Sequence, residues 1–131
     1  MIRLALIAAL ALGGCNSVYD PGGDLAVREK QIQAEAKSNA KVKLPYQCDS
    51  SCTEQLFDKD ACIRRGGSIG VHAAHYEATG EIDPYGTNLM FTRYYRYPKF
   101  QARIQADRAM DTLAYTYYSA STMHSYGVPY C

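Results

Sequence analysis

This chain of 131 residues lacks several things, and each absence removes a class of protein. No apolar stretch approaches the ~20 residues that a membrane-spanning helix requires. The longest such run, residues 4–12, has nine. Charge of one sign is not in excess either: 14 Lys and Arg stand against 13 Asp and Glu, and no cluster of basic residues forms a stripe. Without that stripe there is nothing to track a phosphate backbone, so nucleic-acid binding is set aside. There is no internal repeat, no low-complexity tract and no room for a second domain. The Cys48/Cys52 pair is not followed by another paired knuckle, which argues against a structural zinc site.

What is present begins with Arg3, the apolar run 4–12, and then Gly13, Gly14 and Cys15. A basic residue ahead of a short apolar stretch has the form of an export signal. Leu12-Gly13-Gly14-Cys15 resembles the lipobox of bacterial lipoproteins. That resemblance implies cleavage before Cys15 after its sulfur has been acylated, with several acyl chains anchoring the mature protein firmly in a membrane. Asn16, rather than Asp, follows Cys15, and this implies the periplasmic face of the outer membrane in the cell envelope. The expected organisation is a signal peptide (1–14), a lipidated N-terminus with a short linker or strand (15–20) and one domain (21–131). Since Arg3 leaves with the signal, the mature chain balances 13 basic against 13 acidic residues. The whole sequence is 47% apolar with mean hydropathy −0.30, ordinary for a globular protein.

Cys48, Cys52, Cys62 and Cys131 remain in an oxidising compartment, and an even number there points to two disulfides. Each of the three pairings joins Cys131 to an internal cysteine, which suits a terminal residue that would otherwise fray. The choice among the three partners stays open.

Asp24, after the turn Asp20-Pro21-Gly22-Gly23, suits the N-cap of a helix over 25–38. Leu25, Ile32 and Ala36 would form its narrow apolar stripe, with Arg28, Glu29, Lys30, Glu35 and Lys37 on the rest. Val42, Leu44 and Tyr46 alternate with Lys41 and Lys43 in the period of a half-buried strand, and Pro45 implies an edge or a strand end. A two-turn helix fits 51–58, a short extended piece 60–64, a turn Gly66-Gly67, and a second strand 68–72. Residues 78–87, with Gly80, Pro84 and Gly86, read as a loop whose length suggests a lid or rim. Helices are expected over 89–95, from Pro98 to about 108 with Phe100 and Ile104 buried, and over 119–125.

This order sets Ser50 just after a strand, at the start of a helix whose free N–H groups and dipole favour an oxyanion. His72 follows 22 residues later at a strand end, where it can serve as base. The Gly22-Gly23 pair lets backbone N–H groups approach a carbonyl. Pro21-Gly22-Gly23, Cys48-Asp49-Ser50-Ser51-Cys52-Thr53, Cys62-Ile63 and Gly70-Val71-His72-Ala73-Ala74 together resemble the Clp-protease/crotonase-like fold. More narrowly, they resemble a group of bacterial periplasmic proteins of that fold, and Tyr97-Pro98 and Pro129-Tyr130-Cys131 are similar to that group's ending. The likeness runs over about residues 18–131. It implies an α/β domain of abbreviated form, a small sheet flanked by helices, since few residues precede the Pro-Gly-Gly turn. It also implies Ser50 as nucleophile, His72 as base and the N–H groups of Gly23 and Ser51 as oxyanion hole, acting on a peptide or protein substrate. Related folds commonly oligomerise.

Plainer readings stand beside these. Ser50 suits a simple helix cap. His72, His75 and Glu77 suggest a metal, but a strand end does not hold i and i+3 side chains on one face, so no metal or cofactor is expected. Asp107 and Asp111 are at a plausible distance in sequence for a third catalytic member, with nothing to single out either. The tyrosines, ten of 12 from Tyr76 onward, fit half-buried packing or a binding surface, and the latter would suit a non-catalytic envelope module.

Overall fold

The computed structural model describes residues 18–39 and 41–131. The signal peptide and the lipidation residue Cys15 lie outside the described residues. Four strands form one small sheet, ordered β1-β2-β3-β4. These are β1 (Tyr19–Asp20), β2 (Gln47–Asp49), β3 (Ser68–Val71) and β4 (Thr116–Ser119). The first three run parallel, and β4 closes the far edge antiparallel to β3. Four helices accompany them: α1 (Leu25–Ser38), α2 (Pro84–Thr92), α3 (Pro98–Asp107) and α4 (Ala120–Ser125), with a 3-10 helix (Ser50–Phe57) directly after β2. The domain is thus mixed α/β with a small sheet.

Strand alternation divides the sheet into two faces. Register places Cys48 beside Ile69 and Tyr118, and these point into a core that includes Leu44, Leu56, Met90, Phe100, Ile104 and Met123. On the opposite face, Asp49 lies beside Gly70 and Tyr117.

Asp24 caps α1 by accepting from the Val27 N–H at 3.0 Å, as its position ahead of the helix leads one to expect. The stripe differs from expectation, however. Ile32 is buried, Ala36 is exposed, and Arg28 turns inward to a two-oxygen ion pair with Asp20 at 2.9 and 2.7 Å. The pairing makes burial of the guanidinium tolerable. The strand expected around 42–46 is also displaced. Val42 and Leu44 are buried, but this segment makes only an isolated bridge, Lys43 to Cys62, and Tyr46 is exposed. Pro45 has no N–H for a ladder, and pairing within the sheet begins at Gln47.

The expected 78–87 loop ends early. Asp83 accepts from the N–H groups of Tyr85 and Gly86, and Pro84 takes the first helical position. The helices from Pro98 and Ala120, with Phe100 and Ile104 buried, agree with the sequence pattern.

Two disulfides, Cys48–Cys52 and Cys62–Cys131, staple the domain. Around the second, Ile63 bridges Tyr130 and the Cys131 N–H donates to the Ile63 carbonyl, so the chain end is tied into the fold. Among the described residues, no helix is long and apolar enough to cross a membrane.

Candidate active site

The carboxyl ends of parallel strands are where open α/β sheets gather ligand-binding loops. Here three such ends converge: β1 leads into Gly22 and Gly23, β2 into Ser50, and β3 into His72. His72 Nε2 lies 2.8 Å from Ser50 Oγ. In the neutral tautomer protonated at Nδ1, the serine hydroxyl donates to Nε2, the arrangement a general base needs. The two residues are thus brought together across 22 positions of sequence.

Ser50 has φ +54°, one of three left-handed residues other than glycine among those described. A side chain in that region costs roughly 1–2 kcal/mol and persists only where the surroundings enforce it. Two constraints do so. The Cys48–Cys52 bridge closes a five-residue ring around the serine. Gly22 (φ +94°) packs flat against the turn: a Cβ there would lie 2.7 Å from Ser50 Cβ, 2.8 Å from Asp49 O and 2.9 Å from Ser51 N. Gly22 is itself fixed, since its N–H donates to Asp20 Oδ1, the carboxylate that Arg28 grips. So a part-buried ion pair between β1 and α1 locks the diglycine turn against the Ser50 turn.

The expected oxyanion donors divide into two cases. Gly23 lines the cleft, with φ +117° and nothing close to its α-carbon's open side. Ser51 is the second residue of the 3-10 helix, where the first N–H groups have no partner within the helix. Its hydroxyl is buried, without a hydrogen-bond partner.

The cleft holds about 470 Å³ and is lined by Gly23, Ser50, His72 and Tyr115, with His75, Tyr76, Glu77 and Asp83 on the loop side. A slightly larger depression of about 510 Å³ between α2 and α3 is lined by Ile82, Phe91, Ile104 and Met110 among others, but by no nucleophile–base pair. The smaller cleft is therefore the candidate site.

Burial lowers the pKa of His72, and the nearby His75 lowers it further; the Leu113 backbone and the Asp49 charge act in the other direction. The Leu113 backbone lies on the Nδ1 side of the ring, and the buried Nδ1 makes no regular hydrogen bond. Asp49 is raised above the usual carboxylate range chiefly by burial, against the hydrogen bond its Oδ2 accepts from Gln47 Nε2 at 3.0 Å.

Neither Asp107 nor Asp111 hydrogen-bonds His72. Asp107 accepts from Arg103 and from the Tyr118 hydroxyl, and Asp111 pairs with Arg108. His72 and His75 rings lie 6.2 Å apart, and among the described residues no group of three side chains is arranged to hold a metal ion.

Tyr115, one of the clustered tyrosines that fit packing or a binding surface in the sequence, is brought beside His72. Its ring lies 4.4 Å from the imidazole, and it stacks at 5.8 Å on Tyr117. Nothing local marks this place: residues 115–118 read Tyr-Thr-Tyr-Tyr, without the alternation of a half-buried strand. No family model, curated protein or solved structure matches the chain.

Proposed function

We propose that the chain is a serine hydrolase of abbreviated Clp/crotonase-like fold that cleaves peptide substrates through an acyl-enzyme at Ser50. On the reading of the N-terminal sequence, it is held at the periplasmic face of the outer membrane by lipid on Cys15. The observation that carries the chemistry is the 2.8 Å contact between Ser50 Oγ and His72 Nε2 at the wall of an open cleft. Ser50 attacks the substrate carbonyl as its proton passes to Nε2, and the oxyanion meets the N–H groups of Gly23 and Ser51. The imidazolium then gives that proton to the departing amine. Water, deprotonated by the same nitrogen, releases the acyl group and restores Ser50.

A fluorophosphonate probe tests this. The purified full-length chain should be labelled, and Ser50→Ala and His72→Ala should lose the label. A folded, unlabelled wild-type chain would refute the reading. It would leave the second one, a binding module that uses the exposed, stacked Tyr115 and Tyr117 beside the cleft.

A further inference from the structure

We propose that Asp49 is a positioning residue for His72, its buried carboxylate stabilising the imidazolium that forms when His72 takes the Ser50 proton. The inference rests on the Ser50–His72 reading and supplies the acidic member that neither Asp107 nor Asp111 provides.

Among the buried polar atoms at the dyad that make no regular hydrogen bond are Asp49 Oδ1 and His72 Nδ1. With the serine hydroxyl donated to Nε2, the ring proton sits on Nδ1, on the side of the Leu113 backbone, so Asp49 acts on the ring through its charge and not through a hydrogen bond. Both belong to the same sheet face. Asp49 is in register with Gly70, and His72 follows Gly70 by two residues, one strand period. Gly70 has no Cβ, and the carboxylate occupies that space: a Cβ there would meet Asp49 Oδ1 at 2.4 Å and the Tyr117 ring at 2.9 Å. The glycine thus makes room for the acid, whose charge reaches the His72 ring. Tyr117 covers it, and Asp49 is only 1% exposed. In so dry a place a negative charge acts over several ångströms without contact.

The remaining carboxylates near the cleft are otherwise engaged or exposed. Asp20 holds Arg28, Asp24 and Asp83 cap helices, and Glu77 is on the rim. His72 is faced by Ser50, His75, Tyr115 and the Leu113 backbone, and Asp49 by Gln47, Asp20, Tyr115 and Tyr117. His75 opposes a charge on His72; Asp49 favours one.

The proton in this scheme moves only between Ser50 Oγ and His72 Nε2, and Asp49 takes none. The test is an NMR titration of the His72 ring in the full-length chain, wild type against Asp49→Asn, paired with fluorophosphonate labelling rates across pH. Asn keeps the shape and can still accept from Gln47, so a packing role alone leaves the titration unmoved. Loss of the charge should lower the His72 pKa and slow labelling at the high-pH plateau on the order of tenfold. Gly70→Ala, which displaces the carboxylate, should shift the pKa in the same direction and serves if Asp49→Asn does not fold. An unchanged His72 titration in a folded variant overturns the proposal. The hydrolase reading fails separately: wild type unlabelled, or Ser50→Ala labelled as wild type, sinks it while the titration still decides on Asp49.

Discussion

Ser50 illustrates how a residue that looks ordinary in sequence acquires its character from backbone conformation. As a cap it would hold a β-region φ and point its oxygen at its own helix. Instead it is left-handed, and its hydroxyl meets His72. Gly22 is the residue on which this turn leans. Gly22→Ala puts a side chain at φ +94° and inside 3 Å of three atoms of the Ser50 turn, two of them backbone. We expect a loss of about 2 kcal/mol or more in denaturant unfolding and a fall in probe labelling that buffer conditions do not restore. The pH dependence follows from His72. Because burial lowers its pKa, the base stays neutral under more acid conditions than a free histidine does, so the acid limb of the labelling profile should have its midpoint below about 6.5. A midpoint above that value would show that the titrating base is not this buried ring.

At the scale of elements, α1, α3, α4 and β3 were legible because each has a local cause. Asp24 caps α1, Pro98 opens α3, and Ile69 and Val71 mark a strand. Non-local causes were not legible. The residues of β4, Thr-Tyr-Tyr-Ser, become a strand by pairing with a segment nearly fifty positions earlier, and Arg28 is buried because the fold brings Asp20 to it. Gly86 looked like a loop residue but packs inside α2, where a Cβ would meet Leu25 Cδ1 at 3.0 Å. Glu54 in the 3-10 helix is another case. It is fully buried, neither carboxylate oxygen has a donor, and desolvation together with the adjoining Glu29 pushes its pKa up to about 8. Glu29 is meanwhile held by Arg93, so Glu54 is the partner that keeps its proton. The unfolded chain releases that proton near 4.5, the folded chain only near 8, so the native state binds more protons between those values and loses stability as pH rises through them. Glu54→Gln should flatten that decline and be more stable than wild type at pH 8 in chemical denaturation. A variant with the same pH slope as wild type would exclude this assignment.

For the whole molecule, the two disulfides do different work. Cys62–Cys131 spans 69 positions and Cys48–Cys52 four. Chain entropy assigns about 4 kcal/mol to the first and about 2 to the second. Paired Cys→Ser variants measured by denaturant unfolding should follow that order. Labelling should reverse it: losing the small ring frees the Ser50 turn and should slow the probe more than losing the long tie. Even cysteine count and the end position of Cys131 made two bridges and a tied terminus readable, but the partner Cys62 was set by the meeting of residue 63 with Tyr130.

The most direct measurement is to map the fluorophosphonate adduct by peptide mass spectrometry on the folded, disulfide-intact chain. A single adduct on Ser50, absent from His72→Ala, is the predicted result. Modification on Ser51 or on a surface serine such as Ser121, or no adduct on a chain whose two disulfides are intact, would contradict it.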